Sequence, residues 1–271
     1  MGRNASGSTL VKQPTPPWRT PVILAAVAVF VIAVVMGIAL LTKPGGSHNA
    51  TAPPAAQQPT SAPTTTVPIA VPEFRFVPLW PFASQAEVLA WQDSYHSGGH
   101  QPWHLDPAAT ALSFTRNYLG YTNIDRVVGN TATSDEMWVS VGFDDPTGKA
   151  VISAAIHLAR FGGGADAAWE VVGTRDTTLT LTTPSYGASA RSPVTVGGSI
   201  TGVDENLRVQ VRQLARSAPL GEASGAVGGD HAAWKLTVPF AGAAHGALTI
   251  AVSTGGHVAA VERFAITGVR Y

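Results

Sequence analysis

The run from Val22 to Leu41 carries no charged side chain, and it constrains everything else this chain can become. A helix rising about 1.5 Å per residue over that run spans about 30 Å, the thickness of a bilayer's hydrocarbon core. No polar face interrupts it, so it does not read as an amphipathic helix of a soluble core. The apolar core of a cleaved signal peptide runs about 7–15 residues, shorter than this one, so residues 22–41 are expected to be an uncleaved transmembrane helix. Arg3, Lys12 and Arg19 precede the run and only Lys43 follows it closely. Basic residues stay on the cytoplasmic side, which makes 1–21 a cytoplasmic tail and puts the chain beyond Lys43 outside the cytoplasm, in a single-pass arrangement at the cell membrane.

Residues 42–72 are Pro, Ala, Thr, Ser, Gln and Gly with almost no charge or aromatic content, too little apolar area to offset chain entropy. This stretch is expected to be a disordered linker. Pro53, Pro54, Pro59, Pro63, Pro68 and Pro72 bias it toward extended polyproline conformations, so it would act as a stalk. About 200 residues remain, enough for one large or two small domains at about 100–200 residues each, and two are expected, with boundaries at 73–175 and 176–271. Lys plus Arg equals Asp plus Glu at 17 each, so no basic field for nucleic acid exists. The absence of cysteine removes disulfides, thiolate metal sites and cysteine nucleophiles together.

Order is expected to begin near Phe74. Ser84-Gln85-Ala86-Glu87 spells a capping box for a first helix ending near Tyr95. Asp106-Pro107 opens a second helix that closes at Gly120, with Ala108, Ala111, Leu112, Thr115, Tyr118 and Leu119 on one face. Met137–Phe143 alternates, Asp144-Asp145-Pro146-Thr147-Gly148 turns, and Ala150–Leu158 returns, a hairpin followed after Gly162-Gly163-Gly164 by a strand holding Trp169, Val171 and Val172. Two helices plus an antiparallel meander make a small α+β domain, whose order of elements resembles the cystatin-like and nuclear-transport-factor-like cone folds.

Beyond residue 176 helical periodicity disappears. Leu207, Val209 and Val211 alternate with Arg208, Gln210 and Arg212; Trp234, Leu236, Val238 and Phe240 alternate likewise, as do Leu248, Ile250 and Val252, and Phe264-Ala265-Ile266 closes the chain. Short alternating strands at turn-bounded intervals predict a β-sandwich with one face of each strand buried. Thr183-Pro184, Ser192-Pro193-Val194-Thr195-Val196-Gly197-Gly198, Trp234-Lys235-Leu236-Thr237-Val238-Pro239-Phe240 and Gly246-Ala247-Leu248-Thr249-Ile250 resemble, in that order, the strands of the bacterial spore germination immunoglobulin-like domain family. The resemblance covers about Thr177 to Tyr271. It implies an extracytoplasmic immunoglobulin-like β-sandwich at the end of an envelope protein, with no catalytic residues to carry over.

His96, His100 and His104 stand four residues apart and are the candidate metal ligands, imidazole being the commonest metal-binding side chain. Gly98, Gly99 and Pro102 lie between them, so the repeat does not stack the rings on one helical face. Asp144-Asp145 reads as a turn, and His157 as a strand residue. No nucleophile elbow, phosphate loop or zinc-protease helix occurs in the sequence. The expected function is therefore non-enzymatic and needs no cofactor: a membrane-anchored module of the bacterial envelope that binds or scaffolds a protein or cell-wall partner. The alternative is a small-ligand-binding or metal-assisted hydrolytic α+β domain using the His96/His100/His104 loop, distinguished by whether the three rings converge on a concave site.

Overall fold

The computed structural model describes residues 73–271, without the side chains of 203–205. The expected tail, membrane span and linker, residues 1–72, lie outside the described residues. Among those described, no helix is long and apolar enough to cross a membrane.

Helix α1, Gln85–Gly98, begins where the Ser84 hydroxyl accepts the Glu87 N–H at 3.3 Å, satisfying one of the donors that a helix start leaves unpaired. The Glu87 carboxylate returns to the Ala83 N–H at 2.8 Å, one residue earlier than a capping box requires. The helix runs three residues past the expected end at Tyr95, because the left-handed conformation that stops it falls on Gly99, whose φ is +68° and whose N–H reaches the Tyr95 carbonyl. A 3-10 turn at Pro102–Leu105 leads into α2, Pro107–Ser113, capped by Asp106, whose carboxylate accepts the Ala108 and Ala109 N–H groups. The helical path continues through a wide π turn at Phe114–Tyr118 to Gly120, at φ +81°. That widening buries Phe114, Thr115 and Tyr118 together.

Strands β1 (Arg126–Ala132), β2 (Glu136–Asp144), β3 (Ala150–Phe161) and β4 (Ala168–Arg175) form an antiparallel meander in sequential order. A second antiparallel sheet has the order β6-β5-β7-β8, from β5 (Val194–Arg212), β6 (Gly221–Val238), β7 (Ala247–Thr254) and β8 (Arg263–Arg270). Two helices with antiparallel sheets are thus observed. The alternating segments around Val194 and Leu207 are one long strand, and its pairing with β6 shifts register between Ile200 and Glu205. This bulge inverts the alternation: the buried side chains are Val194, Val196 and Ile200 before it, and Leu207, Val209 and Val211 after it.

The expectation of one buried face per strand fails for β7 and β8, which are buried almost throughout. One face carries Val209, Val211, Leu248, Ile250, Val252 and Ala265, packed with Val196, Ile200, Trp234 and Val238 from the far half of the β5–β6 hairpin. The other carries Ala251, Phe264 and Ile266, which join Phe114, Tyr118, Ile124, Val139, Ile156 and Val171 in a single core. The expected boundary at 175/176 falls between β4 and β5, and this core crosses it.

Phe264 is fully buried at the crossing and stacks edge-on with Tyr121 at 5.3 Å between centroids. Phe264→Ala is expected to cost about 3–5 kcal/mol. Because one core serves both sheets, tryptophan fluorescence and far-ultraviolet circular dichroism should report the same single denaturant transition in the variant and the parent.

Candidate functional site

The three candidate metal ligands point three ways, which follows from where α1 ends. His96 lies inside the last turn of α1, and its Nε2 pairs with the Asp166 carboxylate at 3.0 Å. His100 comes after the left-handed Gly99 and is exposed; its carbonyl accepts the Trp91 indole N–H at 3.2 Å. His104 sits in the 3-10 turn and is only 3 % exposed, among Trp103, Phe82 and Trp91 at 3.7, 4.8 and 5.0 Å between ring centroids. Its Nε2 lies 3.2 Å from the Gln101 amide oxygen, and its Nδ1 has no partner. Among the described residues no three His, Asp or Glu side chains gather as a metal-holding group. The Asp144-Asp145 segment is a turn: the Asp145 carboxylate takes the Thr147 hydroxyl and the Thr147 and Lys149 N–H groups.

What surrounds His104 is an aromatic seam that closes the helices onto the first sheet. Trp80 stacks on Trp103 at 5.4 Å and tilts against Phe114 at 6.1 Å, while Trp91 stacks on Tyr95. Glu170, on β4, is fully buried beside this seam; one carboxylate oxygen accepts the Phe82 N–H at 3.2 Å and the other has no partner. Burial pushes this carboxyl well above the usual range, outweighing the backbone N–H groups that favour its charged form. Burial likewise lowers the His104 imidazole to about 4. Burial thus favours the neutral form of both groups in the folded protein.

A second constellation covers the outer face of the first sheet. His157 on β3 places Nε2 2.6 Å from the Glu136 carboxylate, whose other oxygen binds the Arg75 guanidinium. The imidazole stacks on Trp138 at 4.1 Å and meets Phe76 edge-on, and Arg175 lies over the Trp138 ring at 4.3 Å. Burial first, then Arg75 and Arg175, lower His157 to about 4, so a neutral imidazole donates to Glu136. The side chains in this ladder satisfy one another. Beside it opens a cleft of about 540 Å³, walled by Phe74, Phe76 and Phe161 and bordered by Arg75, Asp135 and Arg160. Phe74 stacks on Phe161 at 4.1 Å, while Arg160 lies over Trp169 and donates to the Ala167 carbonyl. The glycines at 162 and 164 keep one wall low. Nothing in the sequence announces this cleft, because Phe74 and Phe161 are far apart along the chain.

No family model, curated protein or solved structure matches this chain.

Two pH dependences of opposite sign follow from the seam. The unfolded chain protonates His104 below about 6.5 while the folded chain resists until about 4, so stability is full above the first value and is lost as pH falls toward the second. His104→Phe should remove about 1–3 kcal/mol of that acid loss, read by urea denaturation at pH 7 and pH 4. Glu170 acts the other way: the folded carboxyl keeps a proton that the unfolded chain releases above about 4.5, so its share of stability falls as pH rises. Glu170→Gln should flatten that slope and leave the variant more stable than the parent at pH 8, read by the same urea denaturation.

Proposed function

We propose that this protein is a single-pass, membrane-anchored module of the bacterial envelope that holds a protein or cell-wall partner outside the cytoplasm and performs no chemistry of its own. The observation that carries the binding reading is the cleft beside the Arg75–Glu136–His157 ladder. Its floor is phenylalanine, its rim carries both signs of charge, and a volume of about 540 Å³ suits a short extended segment of a partner. Mixed charges at a rim favour orientation and partner choice over raw affinity. The placement in the envelope is supported by the apolar run 22–41, the basic residues that precede it and the family resemblance of Thr177–Tyr271. In this reading the second sheet, doubled over by the bulged β5–β6 hairpin, is an immunoglobulin-like sandwich, and the first half is an α+β layer fused to it. The hydrolytic alternative loses its support because His96, His100 and His104 share no centre.

The test is affinity capture from intact envelope with the full-length chain as bait. Removing Thr177–Tyr271 is not a usable control, since Phe264 and Ile266 complete the core of the first half. Ala165→Arg fills the cleft from an exposed position, and Asp135→Lys reverses a rim charge. Both variants should keep the parent's melting temperature. Loss of a specific partner, by about tenfold or more in recovered amount, is the expected result for Ala165→Arg, with a smaller loss for Asp135→Lys. Recovery equal to the parent from both would exclude the cleft as the binding site.

A further inference from the structure

Arg212, the last residue of β5, is 6 % exposed and pairs with no carboxylate among the described residues. It lies on the sheet face that carries Thr249, Ala251 and Ile266, where its guanidinium covers the Tyr118 ring at 5.3 Å. Nη1 donates to the Gln210 side-chain oxygen and Nη2 to the Ser217 carbonyl, both at 3.0 Å, and Nε has no partner. Two neutral oxygens and a ring face are an incomplete shell for a buried cation. Burial favours the neutral forms of Glu170 and His104, a route that guanidinium chemistry does not offer. Glu222, opposite Gln210 in the β5–β6 register, is exposed and forms no ion pair among the described residues.

Arg212 forms part of the wall of a cavity of about 350 Å³, together with Trp80, Asn117, Tyr118 and Arg216. No acidic side chain lines it among the described residues. Arg216 is exposed at the mouth and spends one contact on the Gly242 carbonyl at 3.3 Å, leaving other donors free. Asn117 adds an amide, and Trp80 and Tyr118 add flat apolar walls. We propose that this cavity is a carboxylate-binding site, with the anion between Arg212 and Arg216 and the organic part of the ligand against Trp80 and Tyr118. A planar oxyanion matches the fork of guanidinium donors, and the aromatic walls favour a carboxylate with an organic substituent over inorganic phosphate. The site is separate from the cleft of the first sheet and shares no lining residue with it.

Isothermal titration of the full-length protein, in detergent at constant ionic strength, tests the site with N-acetylglycine, propionate and inorganic phosphate. Saturable binding of N-acetylglycine well above that of propionate would identify a peptide chain end as the source of the carboxylate; equal binding would identify a free small acid. Arg216→Ala, at an exposed position, should weaken either carboxylate about tenfold, and Arg212→Gln should abolish it. Should Arg212→Gln fail to fold, Arg216→Ala decides alone. The proposal is overturned if neither carboxylate saturates, if Arg216→Ala binds as the parent does, or if phosphate binds more tightly than both carboxylates.

Discussion

The fold rests on the burial of β7 and β8, in the second sheet, on both faces. An antiparallel sheet ordinarily shows one face to water and alternates accordingly. Here β7 and β8 have Leu248, Ile250 and Val252 on one side and Ala251, Phe264 and Ile266 on the other. Remove the second set and Phe114, Ile124 and Val139 lose a wall of their core. The first sheet and its helices are therefore not a layer that closes by itself. With no cysteine available, that continuity of apolar contact is what holds the two halves. At roughly 25 cal/mol per Å² of apolar surface buried, large rings such as Phe264 contribute most.

The same burial creates the polar stress points. Where the helices and the segment 77–82 meet the sheets, ionisable groups are trapped: Glu170 beneath Phe82, His104 among Trp91 and Trp103, Arg212 against Tyr118. Glu170 and His104 can each shed charge with a proton, at the cost of making stability depend on pH from opposite ends. Arg212 cannot. Its charge must be met by dipoles, by a ring face or by an anion, and the first two are already present in small number.

Much of this was legible locally and little of it globally. Ser84, Asp106 and Gly120 mark helix ends because capping is a matter of a few neighbouring backbone groups, and the structure uses all three. The hairpin from Met137 to Leu158 is equally local. Strand β1 has no legible pattern, because Arg126–Ala132 contains only two adjacent valines among Gly, Asn and Thr; it is a sheet edge whose outer half faces water. The alternation of Arg208, Gln210 and Arg212 with Leu207, Val209 and Val211 reads as a solvated face opposite a buried one. The structure instead packs Tyr118 over Arg212, a contact between residues almost a hundred positions apart that no periodicity encodes. The cleft and the cavity are invisible in the sequence for that reason. The histidine spacing was legible but uninformative, since the left-handed Gly99 separates His96 from the other two.

The outer face of the first sheet and the wall around Arg212 differ in what they leave unsatisfied, and that difference bears on recognition. In the first, Arg175, Trp138, His157, Glu136 and Arg75 form a closed succession in which each charge or ring already has a partner. Such a succession fixes the shape of the adjoining cleft without spending its own donors on a ligand, so in the proposed binding reading selectivity would come from Phe74, Asp135 and the glycine wall. Around Arg212 the shape is set by helix and sheet, and what stays open is charge. A surface whose polar groups are complete selects by fit; one with an uncompensated cation selects by sign. The two halves of this chain therefore present different kinds of surface, although they share the core that runs from Phe114 and Ile124 to Phe264 and Ile266.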